Sequence, residues 1–215
     1  MKPPAVTSVK IPLDVGRLEG LLARPEKAIG VVLFANRNSS SQQGARNNPV
    51  AAALHQSAIA TLMFDLLTPV EDSQHSNRFN VDLLAERLQL ATEWITQRGD
   101  FANSPVGYFG AGTGAAAALR AAAHYGEGTR AVVSQGGRLD LTGEEALAAV
   151  KAPTLLLVGG RDISAIALNR EALAKLSCDK QMHVIPGAKL LSDGTNTVGQ
   201  VASQAAAWFS GHFAG

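Results

Sequence analysis

The sequence is short of cysteine and of charge, and each shortage excludes something. Its one cysteine, Cys178, leaves no internal disulfide to form, which fits a reducing, cytoplasmic setting. The flanking residues Leu176, Ser177, Asp179 and Lys180 include no histidine, so the thiol reads as a packing or surface group rather than a nucleophile. Charged residues make up 17% of the chain and the formal net charge is +1, so no nucleic acid and no membrane surface is expected as a partner. No apolar run approaches the roughly 18 residues that cross a bilayer. Met1-Lys2-Pro3-Pro4-Ala5 lacks the apolar segment of a secretory signal. No group of Cys, His, Asp and Glu has metal-ligand spacing, and the expectation is no metal and no cofactor.

What is abundant is apolar: 46% of 215 residues, enough for a well-buried core and against disorder. Val6 to Pro12 and Leu18 to Ala23 read as a hairpin turning at Asp14-Val15-Gly16. Gly30 to Ala35, Ile59 to Asp65, Val106 to Gly110, Arg130 to Ser134, Pro153 to Val158 and Gln181 to Ile185 are further strands. The continuous apolar character of Val31 to Ala35 suits a strand covered on both faces. Helices alternate with these strands: about Pro49 to Ser57, Asn80 to Gln97, Gly114 to Gly126, Glu144 to Val150, Ile163 to Leu176 and Thr197 to Phe209. Leu66 to Asn80 reads as a long polar connection, the kind that is functional or mobile. With short crossovers and no linker, the pattern predicts a single α/β domain over residues 1–215, with a mostly parallel sheet of about eight strands and an antiparallel edge. An exposed edge strand of that sheet could pair two copies.

The hub is Val106-Gly107-Tyr108-Phe109-Gly110-Ala111-Gly112-Thr113-Gly114, a strand and a glycine turn running into Ala115-Ala116-Ala117-Ala118-Leu119. Two frames fit it. Gly110-x-Gly112-x-x-Ala115 matches the dinucleotide fingerprint, although it lies in mid-chain and Ser134, not an acid, ends the next strand. Gly110-x-Gly112-x-Gly114 matches the frame of the nucleophile elbow G-x-S-x-G, with glycine at the centre.

The second frame is joined by other blocks in order: Val32-Leu33-Phe34-Ala35, Asp65-Leu66-Leu67-Thr68-Pro69, Ser134-Gln135-Gly136-Gly137-Arg138, Val158-Gly159-Gly160-Arg161-Asp162 and Pro186-Gly187-Ala188. Together they resemble the α/β-hydrolase superfamily, and within it the dienelactone-hydrolase-like group, over nearly the whole chain. The resemblance implies a site of nucleophile, acid and histidine in that order. On this chain it puts Gly112 at the nucleophile position, Asp162 at the acid and Leu190 at the histidine. The segment that resembles the oxyanion loop starts Asn36-Arg37 where the family usually has His-Gly.

Serine catalysis needs an oxygen nucleophile, a base and an orienting acid. Gly112 and Leu190 supply neither of the first two, and Asp162 alone does neither job; as a bare residue it reads as the cap of the helix starting at Ile163. The expected function is therefore a triad-deficient, non-hydrolytic homologue that keeps a small-ligand pocket. The Thr113 N–H, in the family's oxyanion position, and the donors Asn36, Arg37, Asn38 and Ser39 would bind a small carbonyl or anionic ligand. Three alternatives stay open. One is an ester-hydrolase-type enzyme using non-triad residues such as Asp162 or His75. Another is an active hydrolase carrying an introduced serine-to-glycine change. The third is a dinucleotide-binding protein.

Overall fold

A computed structural model describes residues 2–35, 48–188 and 195–214. Eight strands form one sheet: β1 (Ala5–Pro12), β2 (Arg17–Arg24), β3 (Val31–Ala35), β4 (Ala60–Phe64), β5 (Val106–Ala111), β6 (Thr129–Gln135), β7 (Thr154–Gly159) and β8 (Lys180–Ile185). Their order is β1-β2-β4-β3-β5-β6-β7-β8. The β1/β2 and β2/β4 pairs are antiparallel and every later pair is parallel. The predicted hairpin edge and parallel body are both present.

The helices are α1 (Pro49–Gln56), α2 (Pro69–Ser73), α3 (Val81–Thr96), α4 (Thr113–Tyr125), α5 (Glu144–Ala149), α6 (Ile163–Lys175) and α7 (Thr195–Phe213). Sequence chemistry sets several of their starts. Asn48 Oδ1 accepts from the amides of Val50 and Ala51 ahead of Pro49, and Asn80 caps α3 by accepting from Leu83 N.

The sheet separates two cores. Val32, Phe34, Phe109, Val133, Leu155 and Leu157 point to the face covered by α1 and α7. Leu33, Tyr108, Val132 and Leu156 point to the face covered by α3, α4, α5 and α6. The period of two along each strand sorts the side chains between these layers. Polar atoms in the interior are paired where they face each other: the Tyr108 hydroxyl lies 2.9 Å from Thr92 Oγ1, whose own proton goes to the Leu88 carbonyl. Burial raises the Tyr108 pKa, so the phenol stays neutral there.

Residues 66–80 differ from the long polar loop expected from their composition. They hold α2 and a 3-10 turn, His75–Phe79. Thr68 and Glu71 form a reciprocal capping box. Glu71 Oε1 also pairs with Arg87 at 2.6 Å, and Arg78 binds the Asp72 carbonyl and carboxylate. Leu66 and Leu67 are buried in the core beneath. The polarity of this stretch is spent on internal bonds.

Candidate functional site

In an open parallel sheet, ligands bind at the carboxyl ends of the strands where the winding direction reverses. Here that point is β3, with β4 on one side and β5 on the other. Ala35, the last residue of β3, lies opposite Gly110 of β5. The glycine turn therefore sits beside the crevice that the topology creates.

The turn is tight below and open above. Gly110 can only be glycine: a Cβ there would lie 2.6 Å from Ala115 Cα and 2.7 Å from the Gly114 carbonyl oxygen. Gly112 has φ +56° and ψ −125°, a conformation L side chains rarely adopt, yet a Cβ on it would meet no heavy atom within 4 Å. Gly112 caps α4 with no side chain to bond the helix amides, and the first turn carries no acidic residue. The half-buried Thr113 follows at the positive end of that helix.

The strand ends around the turn are tied together by backbone bonds. Gly112 N donates to Gln135 O at 3.3 Å, and Gly112 O accepts from Ala115 N at 3.3 Å and Arg138 N at 3.0 Å. Gly136 N donates to Leu157 O, fixing the exit of β6 onto β7. Asn169 of α6, fully buried, holds this loop by donating from Nδ2 to the Gly137 carbonyl at 3.0 Å. The Arg138 guanidinium is engaged two-pronged by Asp140, at 2.9 and 2.7 Å. That pairing raises the Arg138 pKa and lowers that of Asp140, so both stay charged.

Asp162 follows the end of β7. Its Oδ1 accepts from Ala165 N at 3.0 Å and its carbonyl accepts from Ile166 N, so the carboxylate works as the cap of α6. The adjoining turn is held to β8 by Gly160 N to Ile185 O and Arg161 N to Ala188 O. Leu190, Asn36, Arg37, Asn38 and Ser39 lie outside the described residues. Of the residues expected at the site, the structure thus describes Gly112, Thr113 and Asp162, all beyond carboxyl ends of parallel strands. His75 sits in the 3-10 turn with its ring 5.3 Å from that of Phe79, His183 is half-buried in β8, and Cys178 is half-buried with Sγ 3.8 Å from Thr154 Oγ1. Burial pushes the Cys178 thiol up, away from thiolate chemistry.

The clamp on Gly112 was not among the expected site features. The block Ser134 to Arg138 belongs to the hydrolase-like frame, but the bond from Arg138 N to an element 26 positions earlier leaves no sequence signal. No cluster of three or more metal-ligating side chains exists among the described residues. Among the same residues no helix is long and apolar enough to cross a membrane.

The strand order, the two-sided helical cover and the strand–glycine turn–helix at β5 define the α/β-hydrolase fold. No family model matches the chain. Among solved structures, the dienelactone hydrolase from Anabaena variabilis is 44% identical, with a TM-score of 0.91 and coverage of 98% of this chain and 99% of that one. At that similarity over the full length, the chain belongs to the dienelactone-hydrolase family. Est1E from Butyrivibrio proteoclasticus shares the fold, with a TM-score of 0.78 at 12% identity over 97% of this chain and 99% of its own. A Mycobacterium tuberculosis protein (strain H37Rv) that bears the name "Putative phosphoribosyl transferase" is 48% identical over 196 residues, 91% of this chain. The chain spans only 44% of the length of that relative.

Proposed function

We propose that this protein is a non-hydrolytic member of the dienelactone-hydrolase family that retains the family's ligand crevice. The observation that carries the reading is Gly112. The turn keeps the backbone shape of a nucleophile elbow, and the space above its apex would accept a side chain, but the residue there has no oxygen to offer. Leu190, which the resemblance puts at the family's histidine position, would remove the general base as well. Asp162, aligned to the acid, bonds the amide of its own helix. Without nucleophile and base, acyl transfer by the serine route has no first step.

The crevice would serve binding. Thr113 presents its amide at the positive end of α4, where a carbonyl oxygen or small anion is favoured. Asn36, Arg37, Asn38 and Ser39 would supply further donors from the segment after β3. The transferase name of the Mycobacterium tuberculosis relative belongs to a protein more than twice the length of the shared segment.

A serine-directed fluorophosphonate probe tests the proposal directly. The expected result is no covalent adduct by intact mass under conditions that fully label an active serine esterase. Stoichiometric labelling sinks it.

A further inference from the structure

We propose that the protein has a second ligand site, at the opposite end of the sheet from the glycine turn, built to take an amphipathic monocarboxylate with an aliphatic tail. This site is independent of the reading of the glycine turn and shares none of its residues. It lies between α1 and the antiparallel edge of the sheet, near the amino ends of β3 and β4.

Three observations converge there. The first is space. A cavity of about 510 Å³ is bounded by Pro4, Pro25, Lys27, His55 and Ala58, a size within the range of small-molecule pockets. A second cavity of about 180 Å³ shares Pro4, Ala52 and His55 with it and is lined further on by Leu21 and Met63. The two form a mouth and an apolar extension meeting at one histidine.

The second is chemistry placed at that junction. His55 Nε2 lies 2.9 Å from Thr61 Oγ1, and Thr61 is 1% exposed. Burial lowers the His55 pKa, so the ring is neutral and can still donate to or accept from an oxygen. At the mouth, Lys2 and Lys27 outnumber Glu26, whereas the extension is lined by no formally charged side chain. A head group of one negative charge and an apolar tail match that gradient. The third is backbone strain. Ala58 is the single non-glycine residue with positive φ among the described residues, at +56°, where helices usually place glycine. Its N–H donates to His55 O and its carbonyl accepts from Ile29 N, which hold it there, and the residue lines the mouth. Strained positions held by their surroundings cluster at ligand clamps.

Calorimetric titration of the full chain with decanoate tests the site. The expected result is saturable binding at one equivalent. Ala52→Trp, at an exposed helix position lining both cavities, should weaken it at least tenfold, and Gly112→Ser should leave it unchanged. Should Ala52→Trp lower the thermal midpoint, Lys27→Glu at the exposed mouth gives the same reading, with an expected loss of about tenfold at low salt. Absence of saturable binding, or binding undiminished in a folded Ala52→Trp and in Lys27→Glu, overturns the proposal. So does a dimer that Ala52→Trp dissociates while decanoate fails to bind, since the groove is then the seat of a second copy.

Discussion

The amide of Arg138 donates to the carbonyl of Gly112 at 3.0 Å, so the loop leaving β6 is fastened to the apex of the turn that ends β5. The same carbonyl accepts from Ala115 N in the first turn of α4. The apex is thus held from two sides by backbone, whatever residue occupies it.

A serine at the apex should therefore be accommodated without restoring chemistry. Gly112→Ser places a side chain into open space but forces an L residue to φ +56°. The expected cost is about 1–3 kcal/mol of stability. Urea denaturation should show that loss, and on the proposed reading, in which the base is missing too, p-nitrophenyl acetate hydrolysis should stay at background. Strong ester turnover in this variant would falsify the pseudoenzyme reading and favour an active hydrolase with one altered residue.

Gly110→Ala should be worse than Gly112→Ala, although the first position lies within a strand and the second in a strained turn. At Gly110 the new methyl meets Ala115 Cα at 2.6 Å, and backbone cannot step aside as a side-chain end can. A loss of about 3 kcal/mol or more is expected, against about 1–3 for Gly112→Ala. Equal chemical-denaturation midpoints for the two variants would contradict this account of how α4 sits on β5.

Asp162→Ala should lower stability by about 1 kcal/mol through the lost cap, and Asp162→Asn, which keeps an acceptor oxygen, should recover most of it. A catalytic role would show differently: any turnover found in a substrate panel would fall steeply in both variants with little change in midpoint.

The neutral state of His55 should appear in the pH dependence of folding. Its folded pKa lies below its ordinary value of 6.5 because burial disfavours the charged ring. Below pH 6.5 the unfolded chain takes up the proton first, so this group's contribution is full above that value and is lost as the pH falls through the folded pKa. Denaturation midpoints measured from about pH 8 to about pH 5 should decline, and should decline less in His55→Gln. Glu71 acts lower on the scale. Partial burial raises its pKa, but the bonds from Arg87 and Thr68 outweigh that and lower it, so its contribution is lost only as the pH falls below 4.5. Equal slopes for wild type and His55→Gln would remove His55 from the linkage.

Local chemistry was legible from the amino acids. Strand positions came from apolar runs, and the start of α6 from Asp162, which bonds a free amide of its first turn; the caps Asn48 and Asn80 show only in the structure. The α2 cap was also written in the chain, as Thr68-x-x-Glu71, but was hidden within a polar stretch that reads as loop until Arg87 and Arg78 are seen to close on it. The strained Gly112 could be expected from its frame, since only glycine meets φ > 0 without penalty.

By itself, then, the sequence determined the succession of strands and helices, the hydrolase-like frame of the glycine turn and the absence of a serine at its centre. These rest on near neighbours in the chain, whose spacing and side-chain chemistry act locally. Only the tertiary structure decided which strands flank β3, that the Arg138 amide closes on Gly112, and that Lys2, Lys27 and His55 meet around one cavity. Those relationships join residues 25 to 75 positions apart. They follow from how the sheet orders its strands and how each helix buries its apolar face, which no local pattern encodes.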